Sequence, residues 1–438
     1  MNKYFNILLA AMMAGSGHTF AETWNLEKCI NYAIEHNIDV KLRDNEAESS
    51  RLQITQAKSR YLPTLNGYAN QSWSLGRGLT GENIYANTNT SNTSAGAQLS
   101  LPLFDGLNTP RQVAYAKASL AAALEQFEAA KDDVTLNVMA AYLQALYTKE
   151  MSEVAKHQVE LSTYELGRQK ALLAAGKIPE VDMLEAESQL AQDRLSLEQS
   201  YNDTRLALVD LAQLLNLDNM SDFDIAPLEK SENYMSLLAS PEQVYDDALQ
   251  RNHSVKAYRL AVDAAEKYIR VAKTGYIPSL SLNAGIGSNY YTVSRIPHDS
   301  FGKQFKNNYS TNIGISLSVP IFDAFQTRNA IRRAKVQKIN AELQAQQAEQ
   351  NLYKTVQQAY VRADGAQKKL KAALVAESAA DKAFKAMSEK YGIGRATPTE
   401  YEQAKIKALR TKAEALQAHF ELILRNKILD FYASGGAV

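Results

Sequence analysis

The feature that most constrains the fold of this chain is that its sequence is written twice. Three pairs of segments recur in the same order: AIEHN at 33–37 with ALQRN at 248–252, YLP at 61–63 with YIP at 276–278, and LSLPLFDG at 99–106 with LSVPIFDA at 317–324. The first two pairs are displaced by 215 residues and the third by 218, as are Gly176 and Gly394. The 438 residues are therefore predicted to form two similar halves, although their length alone would suggest two or three domains.

Within each half the spacing of the apolar residues changes in a fixed order. The spacing is helical up to Pro63, which disfavours helical geometry in the residue before it. From Thr64 it alternates, with one apolar face and one small or polar face. Paired runs of about 10 to 13 residues, typical of tilted membrane strands, predict β-hairpins over about 64–104 and about 279–322. A soluble hairpin packed on a core is the alternative, but no other strand-rich segment could cover the apolar face.

Each hairpin is flanked by long helical segments. The expected helices are 26–62, 110–175 and 177–217 in the first half, and 241–277, 326–393 and 396–431 in the second. The helix over 110–175 would be roughly 100 Å long at about 1.5 Å per residue. Val113, Leu120 and Phe127 recur at heptad spacing, which favours coiled-coil-like packing. The turns near Gly176 and Gly394 are then expected at the helix ends remote from the hairpins.

The N-terminus resembles an export signal. Lys3 precedes an apolar run over 4–14 and a small-residue site ending at Ala21, which is typical of a cleaved signal peptide. A short membrane anchor is the alternative, but the run is well below the ~20 apolar residues that a spanning helix needs. No later segment approaches that length, so only strands could span a membrane. The expected divisions are residues 1–21, a first repeat at 22–225 and a second at 226–438.

Four strands per chain are too few to close a membrane barrel, whose smallest single-chain form has about eight. Chains must therefore associate, and a trimer would supply about twelve strands. Glycine, serine and asparagine on the inner face favour an open lumen over a filled one. Strand arithmetic alone does not choose between about twelve and about sixteen strands.

Several chemical functions are not expected. Basic and acidic residues both number 48, so no charge excess favours nucleic acid. The glycines at 76, 78 and 81 match a dinucleotide motif in spacing, but no helix follows to hold a pyrophosphate. The histidines have no partner at metal-ligand spacing, and no cofactor, metal or enzymatic activity is expected. The single cysteine, Cys29, is expected to be a small apolar core residue.

The order and duplication of these segments resemble the TolC family of outer-membrane efflux proteins. The resemblance rests on LEKCINYAIEHN, on YLP and YIP, on LPLFDG and VPIFDA, and on the turn segments AGKIPEVDMLEAESQL and GIGRATPTEYEQAKIKAL. It implies a mainly α fold with a small β part. It further implies a homotrimer with a twelve-stranded barrel, a helical periplasmic tube, a periplasmic adaptor and an inner-membrane pump.

The resemblance also assigns roles to residues at the two turns. Acidic residues that ring the periplasmic gate correspond to Asp182 and Glu400, while Gln403 stands where a second acid often occurs. Tyr391 corresponds to a gate tyrosine, and Arg395 lies one place from a gate arginine. The adaptor-docking positions would be Gly176, Lys177, Pro179, Gly392, Gly394 and Pro398. From the residues alone, the two acids could equally favour the N-terminal turns of their helices.

The expected function is a passive outer-membrane exit duct for efflux or type I secretion. The first alternative is a diffusion porin, which has no use for helices of this length. The second is a periplasmic coiled-coil adaptor, which has no use for two amphipathic hairpins. The substrate is not indicated by the sequence.

Overall fold

The computed structural model describes residues 23–79, 84–217, 219–220, 223–228 and 240–434. The expected signal peptide therefore lies outside the described residues. The chain divides into two compact units. One contains Asn45–Glu125 and Lys256–Gln347, and the other contains the chain up to Asp44, Gln126–Val255 and Ala348 onward. Each unit takes segments from both sequence repeats, so the compact units and the repeats are different divisions of the chain.

The first unit is built on an antiparallel sheet. Its strands are β1 (Thr64–Ser74), β4 (Thr90–Phe104), β5 (Ser279–Val293) and β6 (Ser310–Ser318), in the order β1-β4-β5-β6. β1 and β6 are the two edges of this sheet. The loop between β1 and β4 carries a small hairpin, β2 (Arg77–Leu79) with β3 (Tyr85–Asn87).

The alternation in the sequence becomes two distinct faces of this sheet. Cross-strand pairing aligns Leu65, Leu99, Ala284 and Ile313 in one row, and Asn66, Gln98, Gly285 and Asn312 in the next. On the polar face Tyr68 lies across two glycines, because a Cβ added at Gly96 would come within 2.8 Å of the Tyr68 hydroxyl and one added at Gly287 within 2.9 Å of it. The apolar and polar faces predicted from the sequence are those of the folded sheet.

The helices are α1 (Leu26–His36), α2 (Ile38–Ser59), α3 (Asn108–Ala174), α4 (Glu180–Leu215), α5 (Pro241–Arg251), α6 (His253–Ala272), α7 (Phe301–Asn307), α8 (Gln326–Gly392) and α9 (Pro398–Ser434), with a 3₁₀ turn at Lys273–Tyr276. Each of α3 and α8 has 67 residues. No helix among the described residues is both long and apolar enough to cross a membrane.

Two of the expected helices are interrupted in the structure. The helix expected over 26–62 breaks at Asn37, and that over 241–277 breaks at Asn252. Asn37 Oδ1 accepts from the Asp39 amide at 2.9 Å, and Asn252 Oδ1 accepts from the Val255 amide at 2.9 Å. Each asparagine therefore ends one helix and caps the next, a role that hydrophobic spacing does not reveal.

The repeated LFDG and IFDA segments start the two long helices. Asp105 Oδ2 accepts from the Thr109 amide at 2.6 Å, and Asp323 Oδ2 accepts from the Thr327 amide at 2.7 Å. The backbone reverses just before each helix through residues with positive φ, Gly106 and Leu107 in one half and Ala324 and Phe325 in the other. The aspartates satisfy amide groups that the first turn of a helix leaves without partners.

The core of the second unit repeats with the sequence. Cys29, Ala33 and Val40 of the first half pack with Val138 and Leu211, and Val244, Ala248 and Val255 of the second half pack with Val356 and Leu429. Cys29 is fully buried at the position that Val244 occupies in the second half. Burial raises the pKa of its thiol to about 12, so Cys29 acts as a small apolar core residue.

Candidate functional site

The first turn of interest joins α3 to α4. Gly176 has a φ of 66°, a left-handed conformation that glycine adopts without a Cβ penalty. The Lys177 amide donates to the Leu172 carbonyl at 3.0 Å, which closes the end of α3. Pro179 precedes α4, whose first turn carries Glu180 and Asp182. Proline has no amide to satisfy here, and acids favour the positive end of the helix dipole.

The second turn joins α8 to α9 and has the same design. Gly394 has a φ of 71°, and the Arg395 amide donates to the Lys390 carbonyl at 2.8 Å. The Thr397 amide donates to Glu400 Oε2 at 2.8 Å, and the Glu400 amide donates to Thr397 Oγ1 at 3.2 Å. This reciprocal pair is a capping box. The backbone hydrogen bond from Thr397, followed by its hydroxyl, lowers the pKa of Glu400.

Tyr391, in the last turn of α8, lies at the centre of an aromatic and polar contact group. Its ring stacks on Tyr401 of α9 at 4.6 Å between centroids. The Arg168 guanidinium lies over the same ring, 4.7 Å from its centroid. Gln169 Nε2 donates to the Tyr391 hydroxyl at 2.6 Å. Burial raises the pKa of both Tyr391 and Tyr401 to about 12, so both phenols stay neutral at physiological pH.

A buried polar cluster lies one turn further along α9, centred on Lys405. Its ammonium group lies 3.7 Å from Asp193 Oδ2 of α4 and 3.4 Å from Glu402 Oε1. It also donates to Ser162 Oγ of α3 at 3.1 Å, and Ser162 in turn donates to Asp193. Lys405 is 2 % exposed and Asp193 is 9 % exposed. The cluster therefore ties α3, α4 and α9 together through charges that are almost out of water.

Glu402 is the least satisfied member of this cluster. Among the described residues, its Oε2 atom is buried without a hydrogen-bond partner. Burial is the main cause that raises the pKa of its carboxyl, against the opposing effect of Lys405. One ammonium group therefore serves two carboxylates, at 3.4 Å from Glu402 Oε1 and 3.7 Å from Asp193 Oδ2, and it leaves Glu402 Oε2 without a partner.

Beside these two groups lies a groove of about 330 Å³. Its wall combines the two stacked tyrosines with four carboxylate residues, Glu165, Asp182, Glu185 and Glu402. Pro398 and Thr399 from the second turn line it as well. The groove is thus an aromatic and acidic recess formed by both helix turns.

The family model for outer membrane efflux proteins matches residues 29–217 and 244–426, which is most of the chain and covers both repeats. The chain belongs to the outer membrane efflux protein family. The outer membrane efflux protein BepC of Brucella suis is 22% identical over 86% of this chain and 78% of its own length. The outer membrane protein TolC of Escherichia coli is 22% identical over 97% of this chain and 85% of its own length. The crystal structure of the outer membrane protein VceC of Vibrio cholerae has a TM-score of 0.73 at 16% identity, over 94% of this chain and 96% of that chain.

Membership in the outer membrane efflux family confirms the TolC-like resemblance and the mainly α fold with a small β part. It places the protein in the outer membrane, with its helical tube in the periplasm. Its relatives are outer-membrane efflux and secretion channels.

The structure brings together only some of the predicted gate residues. Asp182, Tyr391 and Pro398 line the groove. Glu400 is exposed and occupied by its capping box, and Arg395 and Gln403 are exposed outside the groove lining. The gate roles of all five predicted residues stay predictions for this member of the family.

Several residues that shape the site were missed by the sequence analysis. These are Glu165, Arg168, Gln169, Asp193, Tyr401, Glu402 and Lys405. Lys405 offered one usable signal, since it lies four residues after Tyr401 on the buried face of α9, where an apolar residue is expected. Asp193 and Arg168 gave none, because Lys405 and Tyr391, which they contact at this site, are more than 200 residues away in sequence.

Proposed function

We propose that the protein is the passive exit duct of an efflux or type I secretion system, and that it works as a homotrimer. Substrates would pass from an inner-membrane pump and a periplasmic adaptor through the duct to the exterior. The energy would come from the pump, since the sequence provides no nucleotide-binding loop. The observation that carries this proposal is the four-stranded sheet with β1 and β6 as open edges in a family of outer-membrane channels.

The open edges support a ring of chains. β1 belongs to the first repeat and β6 to the second, so joining β6 of one copy to β1 of the next is a head-to-tail contact. Such contacts close into a ring when the rotation permits. Three copies would give about twelve strands, enough for a water-filled lumen, whereas about eight would be filled by side chains. The small residues on the polar face favour the wider ring.

The helix turns support a control point. A three-fold axis would bring three copies of Asp182 near one another, where rings of carboxylates attract cations and repel each other. Tyr391 and Arg168 would hold α8 against α3 in the closed state. We propose that opening disrupts these contacts and widens the aperture at the turns.

The same turns offer a surface for the adaptor. The six predicted docking residues, Gly176, Lys177, Pro179, Gly392, Gly394 and Pro398, are all exposed. The two turns share one backbone design, so they would present two similar docking points per chain. Family membership favours this duct over a diffusion porin or a periplasmic adaptor.

The proposal is tested on the full-length protein purified from outer membranes. We expect a mass in detergent of three mature chains, conductance in planar bilayers, and co-purification of an adaptor and a pump. Lys177→Glu should reduce adaptor co-purification, while the exposed helix control Lys170→Glu should not. A monomeric protein without conductance, or equal adaptor recovery for both variants, would contradict the corresponding part of the proposal.

Deletion of the gene separates the two forms of the duct. Increased sensitivity to detergents or drugs would indicate efflux, and loss of a secreted protein from the medium would indicate type I secretion. If deletion causes neither change although the parent strain expresses the gene, the result contradicts both forms of the duct.

A further inference from the structure

The short helix α7 lies in the loop between β5 and β6 and covers part of the edge of β5. β6 pairs with β5 only as far as Gly287 opposite Ser310. Beyond that point, α7 and Asn308 lie along the edge of β5 in place of β6. The Tyr291 amide donates to Gln304 Oε1 at 3.0 Å, and Asn308 Nδ2 donates to the Asn289 carbonyl at 2.8 Å. The Ser288 hydroxyl donates to the Phe305 carbonyl. Backbone and side-chain bonds therefore fix α7 against the strand.

The aromatic residues of α7 extend the apolar face of the sheet. The ring of Phe301 lies 5.2 Å from that of Tyr290, and Phe305 stacks on Phe301 at 5.2 Å. Tyr290 is an even number of residues from Leu282 and Ile286 in a regular strand, so it points to their side. That side is the apolar face, which a membrane strand turns to lipid. Phe301 is still 51 % exposed.

The position along β5 corresponds to the far edge of the membrane. β5 follows α6 and its 3₁₀ turn, so its first residue, Ser279, is at the periplasmic end. From Ser279 to Tyr290 the strand advances roughly 37 Å at about 3.4 Å per residue. With a tilt of about 40°, this is about 28 Å across the membrane, close to the ~25 Å apolar band of such barrels. The aromatic rings therefore lie at the outer interface, where aromatic belts occur.

Cationic side chains lie on the same short helix and in the loop before it. Lys303 is 63 % exposed and forms an ion pair with Asp299 at 2.9 Å. Lys306 and Arg295 are exposed as well. Lysine and arginine side chains near an anionic membrane surface are attracted to it. Aromatic rings at the depth of the interface beside exposed cations are the combination that anchors a helix on anionic lipid.

We propose that α7 is an interfacial anchor that binds the phosphate of an anionic lipid in the outer leaflet of the outer membrane. Phe301 and Phe305 contact the acyl chains, and Lys303 and Lys306 contact the phosphate. The first repeat has the β2–β3 hairpin in the equivalent loop, so the described part of each chain carries one such anchor. This inference rests on the proposed membrane orientation of the channel.

The test measures binding of diphosphoryl lipid A to the full-length trimer in detergent by native mass spectrometry. The variant Lys303→Glu with Lys306→Glu should bind at least about tenfold more weakly, since two attractive charges become repulsive. The matched control is Lys368→Glu with Lys371→Glu, which has the same spacing and an equivalent i,i+4 ion pair between Lys368 and Asp364. That control should bind as the wild type does. Phe301→Ala with Phe305→Ala should weaken binding of lipid A but not of inorganic phosphate.

Equal lipid A binding by the wild type and the Lys303/Lys306 variant would overturn the inference. The inference would also be overturned if inorganic phosphate displaced lipid A from the wild type at an equal concentration. Binding of phosphatidylcholine as tight as that of lipid A would overturn it as well. Conductance in planar bilayers is measured in parallel. Absence of conductance in the wild type would contradict the proposed function, whereas normal conductance with unselective lipid binding would contradict only the anchor.

Discussion

Lys405 is a charged residue whose side chain is almost completely buried. An ammonium group that is 2 % exposed must recover its lost hydration from fixed partners. Asp193 of α4 and Ser162 of α3 supply two of them, and Glu402 supplies a third from α9 itself. Such a cluster specifies how α9 sits on α3 and α4, since an apolar contact would tolerate rotation or sliding.

We expect Lys405→Met to destabilise the protein by about 3 kcal/mol, because two carboxylates would then be buried without a cation. The measurement is the midpoint of helix loss on heating, followed by circular dichroism. Lys412→Met, on the exposed side of the same helix, should leave the midpoint nearly unchanged. Adding Asp193→Asn and Glu402→Gln to Lys405→Met should restore part of the loss. An unchanged midpoint for Lys405→Met alone would show that the ion pairs contribute little.

The gate roles predicted for Asp182 and Glu400 can be tested by substitution. Replacing Asp182 and Glu400 with alanine should raise single-channel conductance or abolish cation block, because the ring of negative charge is lost. Glu400→Gln keeps an acceptor for the Thr397 amide and removes only the charge. If Glu400 acts through charge, Glu400→Gln should reproduce the effect of Glu400→Ala on cation block. If Glu400→Gln conducts as the wild type does, its role is the cap.

Tyr391 and Tyr401 should make the stability of the folded protein depend on pH in the alkaline range. An unfolded tyrosine has a pKa of about 10, and both folded pKa values are raised to about 12. Between these values the unfolded chain has released protons that the folded chain still holds. Their contribution is therefore complete below pH ~10 and is lost as the pH rises toward ~12.

We expect the midpoint of thermal unfolding to fall over this range of pH. Tyr391→Phe with Tyr401→Phe should make the fall shallower by about two protons in the linkage slope. Tyr164→Phe, at a residue that is 73 % exposed, is the control and should leave the slope as it is. An identical slope in all three proteins would contradict the buried environment of the pair.

At the scale of the elements, hydrophobic spacing predicts the hairpins and long helices but not the interruptions. The faces of β1, β4, β5 and β6 follow from strict alternation, because a side chain in a strand points to one of only two faces of the sheet. The helix breaks at Asn37 and Asn252 depend on hydrogen bonds that do not alter the apolar period. The elements within the two loops, β2–β3 and α7, are short enough that local pattern carries little information.

The break at Asn37 should be a determinant of stability. Asn37 Nδ2 donates to the Leu214 carbonyl at 3.0 Å, while its Oδ1 caps α2. Asn37→Ala should cost about 1 to 2 kcal/mol, since it removes the cap and leaves a carbonyl without its donor. Asn37→Asp retains the cap but not the donor and should cost less. Denaturant unfolding would measure both, and equal stability of the alanine variant and the wild type would show that the break is held by packing alone.

At the scale of the whole molecule, duplication explains why the core could be anticipated and the polar site could not. Core positions such as Cys29 and Val244 recur in both repeats, and the fold requires only that they be apolar. Lys405, Asp193 and Arg168 each occur in only one repeat. Their pairing depends on which helices meet, and that information is spread over distant parts of the chain.

Export of the whole chain gives a further prediction. N-terminal sequencing of the protein purified from outer membranes should begin at Glu22, since the signal is expected to be cleaved after Ala21. Ala21→Arg should block cleavage, because the protease requires a small residue there, and should leave a larger precursor. A Thr19→Ser variant keeps a small residue and should be processed normally. An uncleaved wild-type chain in the outer membrane would contradict the signal peptide.

The open edges β1 and β6 also make a newly exported chain prone to mispairing. Each edge presents a row of unsatisfied backbone donors and acceptors to any extended segment nearby, including the wrong edge of another copy. If the proposed ring of three copies forms, a solitary chain is a precursor whose yield depends on how quickly two correct neighbours arrive. Its yield should rise with local concentration up to the point where mispairing competes, so the rate of synthesis itself becomes a determinant of how many channels the cell obtains.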